Sequence, residues 1–188
     1  MSFLHHLRRT LADMKHTMES ADQVLLDSLR NFYNIQKHAD QLKDVLCNPE
    51  NPISLRSLDW LITNYSKKRN ISYMLSGDAR VFNIFTDYKS QLKSFSKRMF
   101  DCFKRRNRIS FELPDGTVIE STIAQLNMFR WAIRHQVLQY CRDHLREIEM
   151  DMNRSMKPKE KNGKRCQLSK AATQTCTTTP LRVRVTFD

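Results

Sequence analysis

The sequence predicts a helix-rich α+β fold in three parts: a long coiled-coil-like N-terminal helix, a small module with two β-hairpins and about three helices, and a disordered basic tail. An apolar heptad repeat runs through residues 2–47. Two pairs of short strand-like segments each enclose a turn in which a glycine stands next to an aspartate, a combination typical of hairpin turns. Only three glycines and five prolines occur, which favours long helices. We place the domain boundaries at 1–47, 48–153 and 154–188.

The heptad repeat of residues 2–47 spans six heptads without an interrupting glycine or proline. Its two apolar positions per heptad have Ser28 as their one polar exception. Such a repeat predicts a coiled coil or a helical bundle between chains, and hence a homo-oligomer. Because Val24, Leu26 and Leu29 widen the apolar face, packing of the helix against its own module is the alternative. The residues assigned to the oligomer seam are Leu11, Met18, Leu25 and Phe32.

The start of the module is marked by a helix stop followed by a helix start. The segment NPENP, at 48–52, ends the N-terminal helix because proline cannot donate a backbone hydrogen bond and restricts the residue before it. Ser54 then caps a short helix, LRSLDWLITNY. The basic segment SKKRN, at 66–70, is expected to interrupt the helical structure.

Two hairpins and a helix between them form the centre of the module. The segments ISYML and VFNIF, at 71–75 and 81–85, are predicted to be the strands of the first hairpin, and TDYKSQLKSFSKRMF continues as a helix. The segments ISFEL and VIEST form the second hairpin, because Asp115-Gly116 supplies the positive φ angles of a close turn.

The last helix of the module begins at Thr122, which has capping-box spacing to Gln125, and is expected to run to about Asn153 with a solvated charged end. The tail beyond it is poor in large apolar residues, which predicts disorder. Its final residues, LRVRVTFD, alternate in polarity. They can either pair as a strand with this domain or a partner sheet, or remain unpaired.

The charge of the chain is strongly basic and unevenly distributed. The net charge is +12 and the pI is near 9.7. Residues 65–134 carry fourteen basic and six acidic side chains, and residues 154–188 carry nine and two, whereas residues 1–47 are neutral. This distribution predicts a polyanionic partner, either nucleic acid or an acidic surface.

The densest cationic segment supplies the predicted binding site. Several cations on one surface can contact successive phosphates, and arginine adds a planar fork that also stacks on bases. A plain solvated face is the alternative, and the neighbouring rings of Phe95, Phe100, Phe103 and Phe111 are more typical of a core than of base stacking. The predicted nucleic-acid-binding residues are Lys97, Arg98, Lys104, Arg105, Arg106, Arg108, Arg130 and Arg134.

Patterns that would indicate an enzyme are weak. Asp101, Glu112, Asp115 and Glu120 surround the second hairpin as in metal-dependent nucleases, but Thr122 stands where those enzymes use lysine, and a turn explains Asp115. The spacing of His135, Cys141 and His144 does not match a zinc site. We therefore predict no catalytic residues, no metal and no cofactor.

The five cysteines are scattered without a CxxC pair, which suits a reducing compartment. The first residues lack the apolar segment of a signal peptide, and no run of eighteen apolar residues occurs, so no transmembrane segment is predicted.

Three segments resemble a small, poorly characterised family of nucleocytoplasmic large DNA viruses, including iridovirus-like viruses. Cys102 stands where that family has proline, and Met128 where it has an aromatic residue. The resemblance covers roughly residues 58–140 and implies a virion-associated or replication-associated role, without catalytic residues. The segments are Tyr65-Ser66-Lys67-Lys68, Phe100-Asp101-Cys102-Phe103 and Gln125-Leu126-Asn127-Met128-Phe129-Arg130-Trp131-Ala132.

Together these observations predict a viral, non-enzymatic protein that binds the phosphate backbone of DNA or RNA through a basic, aromatic-rich face. The alternative is a virion structural or scaffold protein that uses its coiled coil and basic faces to bind acidic viral proteins. Either function would place the protein in the host cytoplasm or nucleus, or inside the virion.

Overall fold

The computed structural model describes residues 21–75, 80–156, 160–161 and 164–165. Within these residues the fold is a helix-rich α+β arrangement, as predicted. None of the described helices has the length and hydrophobicity to cross a bilayer. The helices are α1 (residues 21–33), α2 (Gln36–Cys47), α3 (Leu55–Trp60), α4 (Ser66–Arg69), α5 (Ile84–Met99), α6 (Ile123–Arg134), α7 (Val137–Asp143) and α8 (Leu145–Met156).

The strands of the described residues form three separate antiparallel hairpins, β1–β2, β3–β4 and β5–β6. The first two are the predicted hairpins, and the turn of the first, with Gly77 and Asp78, lies outside the described residues. The strands are β1 (Ser72–Met74), β2 (Val81–Asn83), β3 (Ile109–Glu112), β4 (Val118–Ser121), β5 (Glu160–Lys161) and β6 (Lys164–Arg165).

Helix α6 forms the centre of the core. Eight of its twelve residues are buried, including Leu126 and Phe129, so the helix has almost no solvent face. A helix that is apolar on all sides must be enclosed by other elements. Helices α2, α5 and α7 pack directly against it. The side chain of Tyr33, on α1, is also buried and donates a hydrogen bond of 2.8 Å to the carbonyl oxygen of Leu126.

The prediction of one continuous helix over residues 2–47 is wrong in its described part, because Asn34 and Ile35 separate α1 from α2. A straight helix of that length would extend about 70 Å, more than twice the diameter of a small domain. The bend allows both helices to pack on the same core, where Leu29 and Leu42 are fully buried.

The seam residues that the structure describes pack against their own domain. Leu25 and Phe32 are half-buried against the core, and Phe32 also stacks on His38 with ring centroids 4.0 Å apart. Leu11 and Met18 lie outside the described residues. The described part of the segment therefore matches the alternative in which the helix packs on its own module.

The short helix after Ser54 continues further than the sequence predicted. Ser54 caps it as expected, accepting a 3.0 Å hydrogen bond from the backbone N–H of Ser57. The predicted interruption at residues 66–70 is wrong, because a π-helical turn at Leu61–Tyr65 leads directly into α4. The helix ends at Asn70, whose φ of 49° is left-handed, a conformation that asparagine tolerates better than most residues.

The strands of the first hairpin are shorter than predicted. Residues 84 and 85, assigned to the second strand, belong instead to α5. Asn83 ends the strand because its side chain caps the helix, accepting a 2.9 Å hydrogen bond from the N–H of Thr86. Helix α5 is itself kinked at Ser96, where φ is 54°.

The second hairpin is confirmed with the predicted turn. Ile109 pairs with Ser121 at its open end, and Gly116 has a φ of 79° in the turn. The following helix begins at the predicted cap, Thr122, which accepts a 3.1 Å hydrogen bond from the N–H of Gln125.

The expectation of one helix from Thr122 to Asn153 is wrong. Gln136, with a φ of 59°, separates α6 from α7, and His144 separates α7 from α8. These two breaks fold α8 back so that it packs against α3 and the π-helical turn. Its charged residues are not simply solvated. Tyr65 donates a 2.9 Å hydrogen bond to Glu147.

Most of the predicted disordered tail lies outside the described residues, including LRVRVTFD. The described part consists of the end of α8, which extends to Met156, and of the two-residue strands β5 and β6.

We expect Leu29→Ala to lower the free energy of unfolding by about 2–5 kcal/mol, because it leaves a cavity in the core. Val24→Ala on the same helix is the matched control. The side chain of Val24 is 70% exposed and that of Leu29 is 0% exposed, so the control should change stability by less than about 0.5 kcal/mol. Urea unfolding curves measure both values. Equal losses in the two variants would contradict the packing of α1 on its own module.

Candidate functional site

The loop at residues 100–108, between α5 and β3, lies between two adjoining grooves. The larger has a volume of about 410 Å³ and is bounded by the loop, β4, the end of α2 and the starts of α3 and α6. The smaller, about 80 Å³, lies on the other side, toward Asp22 of α1. Lys104 and Thr122 line both grooves, so the two form one surface. We call these the first and the second groove.

The N-terminal end of α6 fixes the backbone of this loop. The carbonyl oxygen of Ala124 accepts a 3.3 Å hydrogen bond from the N–H of Asp101. The side-chain amide of Gln125 donates a 3.0 Å hydrogen bond to the backbone carbonyl oxygen of Cys102. The hydroxyl of Thr122 donates a 3.3 Å hydrogen bond to the backbone carbonyl oxygen of Lys104. Three successive points of the loop are therefore attached to one turn of a buried helix.

Five of the predicted cations line the two grooves. Lys104, Arg105 and Arg108 line the first groove. Arg98, Lys104 and Arg106 line the second, where Arg98 makes a 2.7 Å ion pair with Asp22. Lys104 is half-buried, and the three arginines of the loop are exposed. The fold thus gathers this part of the predicted cluster onto one surface.

Lys97 is exposed near the end of α5 and lines neither groove. Its charge acts on Asp59 of α3. Burial raises the pKa of Asp59, and the nearby Asp101 raises it further, whereas Lys97 lowers it.

The two remaining predicted cations, Arg130 and Arg134, are not brought into this surface. Arg130 is half-buried and donates hydrogen bonds to Ser28 at 2.9 Å and to Asn127 at 2.7 Å, joining α1 to α6. Burial lowers its pKa from the ordinary value of arginine. Arg134 is exposed at the opposite end of α6, about 15 Å along the helix from the loop. A role of either residue in binding stays a prediction.

The acidic residues that suggested a nuclease are dispersed into local contacts. Asp101 accepts a 2.9 Å hydrogen bond from the N–H of Phe103, and Glu120 accepts one of 2.6 Å from Ser110. Glu112 is exposed on β3. Over the described part of the chain, no three carboxylate, histidine or cysteine side chains are grouped so as to hold a metal ion. Of the described residues that line the first groove, Glu120 is the one with a carboxylate.

The four phenylalanines near the cluster separate into two groups. Phe100 and Phe111 are buried in the core, and Phe95 is half-buried against it, as the core interpretation predicted. Phe103 is 42% exposed and lines the first groove, contrary to that interpretation.

Sequence reasoning missed a second basic surface, formed by α4 and α5. The amino groups of Lys67 and Lys89 lie 5.7 and 6.0 Å from the ring centroid of Phe85, one from each helix. Arg69 lies similarly 5.8 Å from the ring centroid of Tyr65. This surface was missed because residues 66–70 were assigned to a break. Three cations followed by an asparagine are also typical of a last helical turn, which was the available signal.

A sequence family described as a family of unknown function, DUF7197, matches residues 7–186. The chain belongs to this family. An uncharacterized protein of Acanthamoeba polyphaga mimivirus is 39% identical to it in a 142-residue alignment that covers 71% of this chain and 54% of that protein. The chain thus spans about half the length of this viral relative. No solved structure matches the chain.

These comparisons agree with the resemblance to a poorly characterised viral family. They also extend the similarity beyond residues 58–140, since the family match includes most of the N-terminal segment and the tail.

One exposed ion pair attaches the second hairpin, a wall of the first groove, to α2. The amino group of Lys43 lies 2.7 Å from a carboxylate oxygen of Asp115 and 2.9 Å from the hydroxyl of Thr117. The hydrogen bond from Lys43 is the main reason that the pKa of Asp115 is lowered to about 2. The N–H of Thr117 donates a second hydrogen bond to the same side chain.

We expect the carboxyl group of Asp115 to titrate near pH 2 in the native protein, and at a higher pH in Lys43→Met. Since the folded-state pKa is lowered, the pair stabilises the protein above the unfolded-state pKa of about 4 and loses this contribution as the pH falls toward 2. Carboxyl chemical shifts followed by NMR measure the titration. The same midpoint in both proteins would show that the turn alone sets the pKa.

Proposed function

We propose that this chain is a viral, non-enzymatic protein that binds nucleic acid mainly through its phosphates. The observation that carries the proposal is the set of five cations, from Arg98 to Arg108, lining two adjoining grooves at the N-terminal end of a buried helix. Several cations on one surface displace counterions from successive phosphates, which is the main source of affinity in such complexes. The N-terminal end of α6 adds a partial positive charge.

The charges of this surface are available to a ligand. None of Lys104, Arg105, Arg106 and Arg108 takes part in the ion pairs found among the described residues. Arg98 is paired with Asp22, whose carboxylate a phosphate could replace. Because the backbone of the loop is attached to α6 at three points, little backbone entropy would be lost when the loop binds a ligand.

The alternative function is a virion structural or scaffold protein that binds acidic viral proteins. It is favoured by the exposed apolar pair of Met74 and Val81, which face each other in the first hairpin at 63% and 69% exposure. An exposed apolar pair is more typical of protein binding than of phosphate contacts. The placement among iridovirus-like large DNA viruses, and in the host cytoplasm, nucleus or virion, is part of both proposals.

We expect the variant with Lys104, Arg105, Arg106 and Arg108 all changed to glutamine to bind DNA or RNA more weakly at any sequence. The slope of log K against log salt should fall by roughly 3, since each lost phosphate contact removes about 0.7–0.9. Fluorescence anisotropy with a labelled oligonucleotide at several salt concentrations measures both quantities.

The matched control changes the same number of exposed cations elsewhere: Arg30, Lys37, Arg146 and Arg154, all to glutamine. It alters the net charge equally, so it separates loss of the site from loss of charge. The proposal is contradicted if the two folded variants show the same slope, or if the loop variant keeps the wild-type slope.

A further inference from the structure

Phe103 is exposed in a way that the fold does not explain. Over the described residues it is the one exposed residue among the phenylalanines, tyrosines and tryptophans. The residues on either side of Asp101, Phe100 and Cys102, are each only 1% exposed, so the chain enters the core immediately before Phe103. Leaving a phenylalanine 42% exposed forgoes part of the stabilisation that its burial would give.

The position of Phe103 is fixed by its neighbours. Asp101 accepts a hydrogen bond from its N–H, and the carbonyl oxygens of Cys102 and Lys104, one residue before and one after, are both bound by side chains of α6 or its cap. The exposed ring is therefore held on a backbone that is attached on both sides. A rigid aromatic side chain loses little conformational entropy when it contacts a ligand.

The surroundings of this ring match the chemistry of one ligand class. Phe103 lines the first groove together with Lys104, Arg105 and Arg108, and the groove volume of about 410 Å³ is in the range of ligand clefts. A flat ring beside several cations suits a chain that alternates aromatic bases with phosphates. In duplex nucleic acid the base faces are stacked on one another, whereas single strands leave them available to aromatic side chains.

We infer that the first groove binds single-stranded nucleic acid, with one base stacked on the ring of Phe103 and the adjoining phosphates on Lys104, Arg105 and Arg108. This inference rests on the proposed function and adds to it the form of the nucleic acid. An acidic peptide would satisfy the cations but would leave the ring without a stacking partner. The apolar side chain of Val118, 58% exposed, also lines this groove and gives it a second apolar surface for a base.

The test compares three probes with the same number of phosphates per strand: a thymidine strand about 16 nucleotides long, a strand of that length without bases, and the duplex of the first. Wild type should bind the thymidine strand most tightly. Phe103→Leu keeps the apolar volume but removes the aromatic face. It should bind the thymidine strand about tenfold more weakly and the other two probes unchanged.

A second variant reports on stacking directly. Phe103→Trp should retain affinity, and its additional tryptophan fluorescence should be quenched by the thymidine strand and not by the strand without bases. The wild-type protein, in which Trp60 and Trp131 remain, supplies the background signal. Far-UV circular dichroism and the melting temperature show that both variants are folded.

The possible failures are distinct. Equal wild-type affinity for the thymidine strand and the strand without bases, with no effect of Phe103→Leu, would overturn the stacking inference and leave phosphate binding intact. Absence of binding to all three probes would overturn the proposed function as well. If poly-glutamate binds as tightly as the thymidine strand, and Phe103→Leu changes neither affinity, the proposed function is overturned as well. The groove would then be assigned to acidic proteins.

Discussion

The burial of α6 on nearly all sides is the constraint on which the rest of the structure depends. A helix with eight buried residues of twelve cannot be stable in water, so the remaining elements must enclose it. Helices α1 and α2 cover one side, and α5 and α7 the others. The breaks at Asn34 and Gln136 turn α2 and α7 back toward this helix, whereas the break at His144 brings α8 onto α3 and the π-helical turn.

The same burial explains why the candidate site is well defined although it consists of a loop. Loops are generally mobile because few contacts hold them. Here the first turn of α6 cannot move without disturbing the core, and the backbone of residues 101–104 is hydrogen-bonded to it. The packing of α6 therefore sets the positions of Phe103 and of the surrounding cations, although none of these residues belongs to α6.

Local signals in the sequence were sufficient where one residue decides the backbone. Ser54 and Thr122 were identified as caps, and Asp115-Gly116 as a turn, because each supplies a hydrogen bond or a φ angle that few residues can supply. The separation of Phe100 and Phe111 from Phe103 could not be read from the sequence. All three have the same side chain, and only the tertiary fold determines which of them reaches solvent.

Three of the helix interruptions have a common physical origin, which the break at His144, with a φ of −113°, does not share. The breaks at Asn70, Ser96 and Gln136 use left-handed backbone conformations without glycine. Such a conformation costs roughly 1–2 kcal/mol, and packing of the following segment offsets it. The sequence gives little warning of it, because neither serine nor glutamine marks a helix end. The heptad repeat gave a wrong helix length for a different reason. A regular apolar pattern is equally compatible with packing on a partner chain and with packing on the core of its own domain.

The π-helical turn at Leu61–Tyr65 changes the rotation of α4 about the helix axis relative to α3. Trp60 and Lys68 are eight residues apart, and in a regular α-helix they would point about 80° away from each other. The wide turn takes up one extra residue, equivalent to about 100°, and so brings them to within about 20°. Both then reach the carboxylate of Asp151, Trp60 at 2.9 Å and Lys68 at 3.1 Å.

Deletion of one residue within 61–65 would therefore leave a continuous helix but rotate α4 by about 100°. Lys68 would lose Asp151, and Lys67 would move away from the ring of Phe85. The number of residues in this turn is thus constrained, as is the identity of the buried Leu61, Ile62 and Tyr65. Within the family, we expect substitutions to be tolerated at the half-buried Thr63 and Asn64 and length changes to be excluded.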